Sequence, residues 1–216
     1  MSKDYPYELL DDPVALAELG EWEQEVYRDF SRFRVGELTE AELKKKYLAR
    51  VAILCLDMTG FTQAAIKMGE AMSLIRIFDV QRVCLPIFRQ DNARLVRAFA
   101  DDLTALFDNP NQALDAAIEV HKRIAVFNQS NLATPHPAEC CIGIGFGDVF
   151  AIGPNLAMGD EMNRASKLGE DTARAGEILV TENMYQEIRH RTDCEIREVS
   201  TDDLPFPYYS VSLKTP

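Results

Sequence analysis

The chain has 216 residues, 47% of them hydrophobic, and 35 acidic against 23 basic side chains leave a formal charge of −12. That balance argues against gripping a nucleic-acid backbone or an anionic membrane surface, and the length suits one domain with a proper core plus a small appendage, not two catalytic domains. The longest apolar runs fall far short of the roughly 18 residues of a membrane span, and the start, MSKDYPYELLDDP, lacks the order of a signal peptide, so a cytoplasmic protein is expected.

Residues 1 to about 12 are polar, with little to bury. From Pro13 to Phe33 the apolar residues Leu16, Leu19, Trp22, Val26, Tyr27, Phe30 and Phe33 recur at threes and fours, which predicts one amphipathic helix. Thr39 stands three residues before Glu42, the spacing of a capping box, and predicts a second short helix. Residues 1–49 form an N-terminal helical extension too short for a usual sensor domain, better suited to bracing the core or a dimer partner. Residues 50–216 form the main domain.

The stretch VAILCLDMTGFT, from Val51 to Thr62, reads as a buried strand that ends in an acid, Asp57, with Gly60 just beyond. A carboxylate at a strand's carboxyl end lies where ligands collect, and the glycine lets backbone N–H groups approach phosphate oxygens. An acid capping the next helix accounts for the same residues; a second acid on a neighbouring strand separates the two readings. Phe61 to Met68 predicts a short helix. Ala71 to Leu85 predicts a longer one, with Met72, Ile75, Phe78 and Val83 inward, ended or kinked by Pro86. The stretch ARLVRAFADDLTALFDNP predicts a hairpin whose tip carries the second acid, Asp101. Two tip carboxylates on adjacent strands could hold a pair of divalent ions.

Pro110 opens a helix to about Asn128 with Ala113, Leu114, Ala117, Ile118 and Ile124 inward. CCIGIGFGDVFAIG predicts a central strand whose Gly143, Gly145 and Gly147 admit close approach of another segment. Then come a helix over GDEMNRASKLGEDTA with Ala165 and Leu168 inward, the strand EILVT, a helix capped by Thr181, and a closing pair of strands, Cys194 to Ser200 and Tyr208 to Leu213. The five cysteines lie mostly in apolar segments without paired spacing, which predicts buried free thiols and no zinc site. The three histidines, His121, His136 and His190, suit surface or capping roles. This order of elements suits an α+β protein with a mixed central sheet packed by helices.

Four stretches, in order, resemble the motifs of class III nucleotidyl cyclases. LDMTGFT resembles F-x-D-I-x-G-F-T, VRAFADDLTALF resembles K-T-x-G-D-x-x-x-A-x-F, GDEMNRASKL resembles G-x-x-V-N-x-A-x-R-L, and AGEILVT resembles P-G-E-I-L-V-S. The resemblance covers about Leu48 to Leu213. It implies a ferredoxin-like βαββαβ core and a head-to-tail homodimer with two active sites at its interface. It also implies conversion of a nucleoside triphosphate to a 3′,5′-cyclic monophosphate and pyrophosphate with two divalent cations, Mn2+ or Mg2+. On that resemblance Asp57, Asp101 and the Met58 carbonyl hold the metals, and Thr59, Gly60, Phe61 and Thr62 cradle the triphosphate. From the other subunit Asn163 orients the ribose and Lys167 neutralises charge at the α-phosphate, four residues apart on one helix face.

The departures from the motifs are specific. Lys167 replaces the family's transition-state arginine, keeping the charge and losing the planar fork, while Arg164 faces elsewhere; Ala100 replaces the glycine before the second metal acid. In the base pocket, Arg97 replaces the purine-reading lysine and Leu156 the partner Asp or Thr. Donors without an acceptor suit a base edge rich in carbonyls, which points to UTP or CTP. The chain thus resembles the small pyrimidine cyclases of bacterial antiphage defence, makers of cyclic UMP or cyclic CMP. An adenylate cyclase with an unusual pocket, or a degenerate domain that binds nucleotide without turnover, are the alternatives.

Overall fold

The computed structural model describes residues 7, 9–60, 65–67, 69–130, 132, 137–153, 156–199 and 204–214. The helix expected over Pro13–Phe33 is two: α1 (Pro13–Leu19), capped by Asp12, and α2 (Gln24–Arg34). The chain breaks at Gly20 because Tyr27 packs there; a Cβ on Gly20 would lie 1.9 Å from the Tyr27 hydroxyl. Helix α3 (Glu40–Tyr47) opens with the expected capping box. The Glu42 N–H donates to Thr39 Oγ1 at 3.2 Å, and the Thr39 N–H to Glu42 Oε2 at 2.8 Å. Val26, Leu43 and Tyr47 pack with Ile152 of the central sheet, flanked by Trp22, Phe30 and Phe150. The buried Asp29 accepts from the Tyr47 hydroxyl at 2.8 Å and from Lys46, whose ammonium chiefly holds its pKa below the usual range.

Strand β1 (Leu48–Met58) is the axis of the sheet. It lies antiparallel between β3 (Asp102–Phe107) and β4 (Cys140–Ile152), and its pairing with β4 runs unbroken from Leu48↔Phe150 to Met58↔Cys140. Val51 to Leu56 are buried on both faces, the reason they read as an uninterrupted apolar run. Helix α4 (Glu70–Gln90) joins β1 to β2 (Leu95–Phe99), and α5 (Pro110–Asn128) joins β3 to β4. The order β2-β3-β1-β4 is the ferredoxin-like βαββαβ arrangement. A short β5 (Leu156–Met158) folds back on β4, followed by α6 (Asp160–Ser166) and a π-helical turn, Lys167–Thr172. Strand β6 (Ile178–Thr181) pairs parallel to β4; after α7 (Glu182–Ile188), β7 (Cys194–Val199) and β8 (Tyr208–Leu213) extend the sheet in the order β6-β8-β7.

The two faces of the sheet follow from alternation along β1. Ala52, Leu54, Leu56 and Met58 join the larger core with residues of α4 and α5, while Val51, Ile53 and Cys55 pack with Leu106, Val149 and Ala165 on the face that carries α6. All five inward residues expected on α5 are buried, as are Ala165 and Leu168. One expectation for α4 narrows and another needs correction. Of the two outcomes expected at Pro86, an end is excluded: helix α4 runs on through the exposed proline to Gln90, its last turn anchored by Ile87 and Phe88, which are almost fully buried. The inward stripe is Arg76, Val80, Cys84, Ile87 and Phe88; Ile75 and Phe78 point out. A helix apolar on most sides carries no periodic sign of which side meets the sheet.

The glycines of β4 do admit a close neighbour. A Cβ on Gly147 would sit 2.6 Å from the Glu161 side chain of α6. Glu161 is buried and accepts from the Phe146 N–H (3.2 Å), the Thr181 hydroxyl (2.8 Å), the Asn183 amide (2.7 Å) and Arg164 (3.3 Å). Glu161→Ala orphans these donors, and urea unfolding is expected to show a loss of about 3 kcal/mol. All five cysteines are free and buried, as expected. Among the described residues no helix is long and apolar enough to cross a membrane.

Candidate active site

The end of β1 is held in place by one bond beyond the last strand residue: the Thr59 N–H donates to the Glu139 carbonyl at 3.0 Å. Gly60 follows at φ 67°, a left-handed turn that suits glycine. Phe61 and Thr62, the rest of the expected triphosphate cradle, lie outside the described residues. Among the described residues three buried polar groups on two side chains have no hydrogen-bond partner, the Thr59 hydroxyl and the Nε and Nη1 groups of Arg76, whose Nη2 donates to the Pro137 carbonyl.

The hairpin β2–β3 turns at Ala100 and Asp101. Ala100 adopts φ 49°, a conformation that costs an L-residue about 1 kcal/mol where the related motif has glycine. Asp101 lies in the turn, and Asp102 opens β3. Because Leu56 pairs with Leu103, Asp57 comes beside Asp102 across the two strands. Three carboxylates therefore converge where the sequence singled out two. Burial first, then the charges of Asp102 and Asp101, push the Asp57 pKa up to about 7. Asp102 is raised as well, by burial and by Glu170 and Asp101. Asp102 was missed because the motif match points to its neighbour; only the hairpin register shows which acid of the Asp101–Asp102 doublet faces Asp57.

Glu170 enters from the π-helical turn. That turn presses on the sheet closely enough that a Cβ on Gly169 would lie 2.6 Å from the Cys55 carbonyl. Between the hairpin and this turn lies a cavity of about 370 Å3 lined by Arg97, Phe99, Asp102, Thr104, Met162, Ser166 and Glu170. Leu156 pairs with Ile152 at the start of β5; its side chain lies outside the described residues.

Asn163 and Lys167 are both exposed, one helical turn apart. Lys167 pairs with Asp171 at 2.7 Å. At that exposure the pair is worth about 0–1 kcal/mol and releases readily to a phosphate. Arg164 is turned away, bonded to Glu161 and lying over the Phe206 ring. Among the described residues no hydrogen bond or ion pair joins Asn163 or Lys167 to the acids of β1 and the hairpin.

Hard carboxylate oxygens, half-buried and crowded by like charge, are the donor set and electrostatic setting that favour a divalent cation. Among the described residues no three His, Cys, Asp or Glu side chains are arranged to hold an ion by themselves, so a cation here would draw further oxygens from backbone and ligand.

No protein-family model matches the sequence, and no curated protein does. Solved structures do match in fold. The adenylyl cyclase CyaB from P. aeruginosa is 19% identical over 78% of this chain and 96% of its own, at TM-score 0.66. The guanylate cyclase domain of RhGC from Catenaria anguillulae in complex with GTP is 18% identical over 77% and 97%, at 0.65. A non-canonical dimeric guanylyl cyclase domain of the RhoGC fusion protein from the aquatic fungus Blastocladiella emersonii is 18% identical over 79% and 99%, at 0.64. The fold is that of these class III cyclase domains.

Proposed function

We propose that this chain is a nucleotidyl cyclase that converts a pyrimidine nucleoside triphosphate, UTP or CTP, to its 3′,5′-cyclic monophosphate and pyrophosphate, as a second messenger in antiphage defence. The observation that carries the cyclase reading is the meeting of Asp57 with the hairpin acids at the end of β1, within a fold matched by adenylyl and guanylyl cyclase domains. The pyrimidine preference rests on Arg97 and Leu156 at the two base-reading positions, and the defence role on the resemblance of those substitutions to the pyrimidine cyclases of antiphage defence.

Asp57 and Asp101, with the Met58 carbonyl and the newly found Asp102, would hold two divalent cations, Mg2+ or Mn2+. Such ions supply charge neutralisation along the triphosphate and acidify the 3′-hydroxyl that attacks the α-phosphorus. The backbone from Thr59 to Thr62 binds the phosphates. Asn163 orients the ribose, and Lys167, released from Asp171, adds positive charge where the pentavalent phosphorus develops negative charge. The Met58–Gly60 edge and the Asn163–Lys167 edge belong to different copies of the chain in this reading, so the active unit is a homodimer. The matched structures include both monomeric and non-canonical dimeric forms of one guanylyl cyclase domain, so the shared site rests on the motif resemblance and not on them.

The test incubates purified protein with Mn2+ and each of ATP, GTP, UTP and CTP and separates products by mass. Cyclic UMP or cyclic CMP with pyrophosphate is the expected product. Cyclic AMP as the main product would replace the pyrimidine reading with an adenylate cyclase of unusual pocket. Nucleotide binding without product would leave a degenerate domain, the reading that Lys167 and Ala100 favour. Mixing an Asp57→Ala chain with a Lys167→Ala chain is expected to restore one working site per heterodimer; no restoration would remove the shared site.

A further inference from the structure

The cavity beside the acids carries a donor and acceptor pattern that the sequence alone does not reveal. Arg97 and Phe99 of β2 pair across the hairpin with Thr104 and Asp102, so all four share one face of the sheet. The Arg97 guanidinium lies over the Phe99 ring, 5.2 Å from its centroid; Asp102 of the same cavity feels its charge, and among the described residues no carboxylate stands within ion-pair distance of it. Its fork of N–H donors is therefore held by stacking and free to bond a ligand. Opposite it, Glu170 Oε1 accepts from the Ser166 hydroxyl at 2.7 Å, while Oε2 accepts no hydrogen bond among the described residues. Met162 supplies an apolar wall. An acceptor is thus present after all, on the π-helical turn and not at the Leu156 position.

We propose that Arg97 and Glu170 read the base together and select cytosine, a refinement that takes from the cyclase reading only the premise that the ligand is a nucleotide. A guanidinium fork needs two acceptors side by side. Cytosine offers N3 and O2 in that arrangement, with its 4-amino group at the end of the same edge for a carboxylate to accept. Uracil places an N3–H donor between its two carbonyls, so one fork cannot reach both without facing that donor. Adenine offers one acceptor beside its amino group, half of what the fork can use. Ser166 fixes the Glu170 carboxylate so that its free oxygen is presented without a further loss of rotamer freedom.

The experiment measures binding without chemistry, by calorimetry on the full chain with Mg2+ and the 3′-deoxy analogues of CTP, UTP and ATP, which lack the attacking hydroxyl. The CTP analogue is expected to bind about tenfold more tightly than the other two, the discrimination of one good bidentate pair with its acceptor. Glu170→Gln, at an exposed position whose circular dichroism is expected to be unchanged, offers an amide that accepts from cytosine or donates to uracil, and is expected to bring the CTP/UTP ratio to within about threefold. Arg97→Met is expected to weaken the CTP analogue most. Equal or tighter binding of the UTP analogue, or a ratio unmoved by Glu170→Gln, overturns the assignment. A tenfold preference that collapses in Glu170→Gln upholds it even where CTP yields no cyclic product, in which case catalysis alone is refuted.

Discussion

Asp57→Asn is expected to lower turnover by about a thousandfold or more and at the same time to make the metal-free protein more stable at pH 8. The two effects have one cause. Asp57 is half-buried beside Asp102 and Asp101, and its folded-state pKa of about 7 stands far above the ordinary 3.8. Between about pH 4 and pH 7 the folded chain holds a proton that the unfolded chain has released. The contribution of Asp57 to stability is therefore fully present below pH 4, falls as pH rises towards 7, and is level beyond. Asp102, also raised, adds to the same slope. Thermal unfolding in chelator should show the wild-type melting temperature dropping from pH 5 to pH 8, with a shallower drop in Asp57→Asn. Mn2+ should raise the wild-type value at pH 8, by relieving the repulsion, and leave the variant nearly unmoved. A variant less stable than wild type at pH 8, or a Mn2+ effect of equal size in both, would show that the acids serve packing and not a cation.

Gly143→Ala is expected to be the most damaging single-methyl change in the molecule. An added Cβ would lie 2.1 Å from the Ala165 carbonyl and 2.4 Å from the Gly169 nitrogen, both backbone atoms. No rotamer can relieve that overlap; α6 and the π-helical turn would have to lift off β4. The turn is also tied down by the Cys141 thiol, which donates to the Gly169 carbonyl at 3.0 Å. Urea unfolding should show a loss of about 3 kcal/mol or more. Gly153→Ala, where the new methyl meets nothing within 4 Å among the described residues, should stay within about 0.5 kcal/mol. Because Ser166, Glu170, Asn163 and Lys167 all ride on the displaced segment, any folded fraction of Gly143→Ala should also bind nucleotide poorly.

The features that were legible in the sequence are those governed by neighbours along the chain. The capping box at Thr39 and Glu42, the opening of α5 at Pro110 and its five inward residues, and the apolar run of β1 ending at Asp57 all follow from local spacing. The glycines of β4 were read correctly as a place of close approach because small residues in a long central strand have few other uses. The break at Gly20, the passage of α4 through Pro86 and the outward turn of Ile75 and Phe78 were not legible. Each was decided by what packs against the segment from elsewhere: Tyr27 on Gly20, and the sheet on Ile87 and Phe88.

The same division runs through the site. By itself the sequence determined that an acid ends the central strand, that a second acid, Asp101, tips the next hairpin, and that Asn163 and Lys167 share a helical turn, because strand ends, hairpin tips and helical spacing are local properties. Only the tertiary structure decided that Asp102 meets Asp57, since that depends on the register of two strands more than 40 residues apart. It also decided that Glu170 faces Arg97 across a cavity, since nothing in the order of residues measures how closely a π-helical turn is pressed onto a sheet by glycines on both sides of the contact.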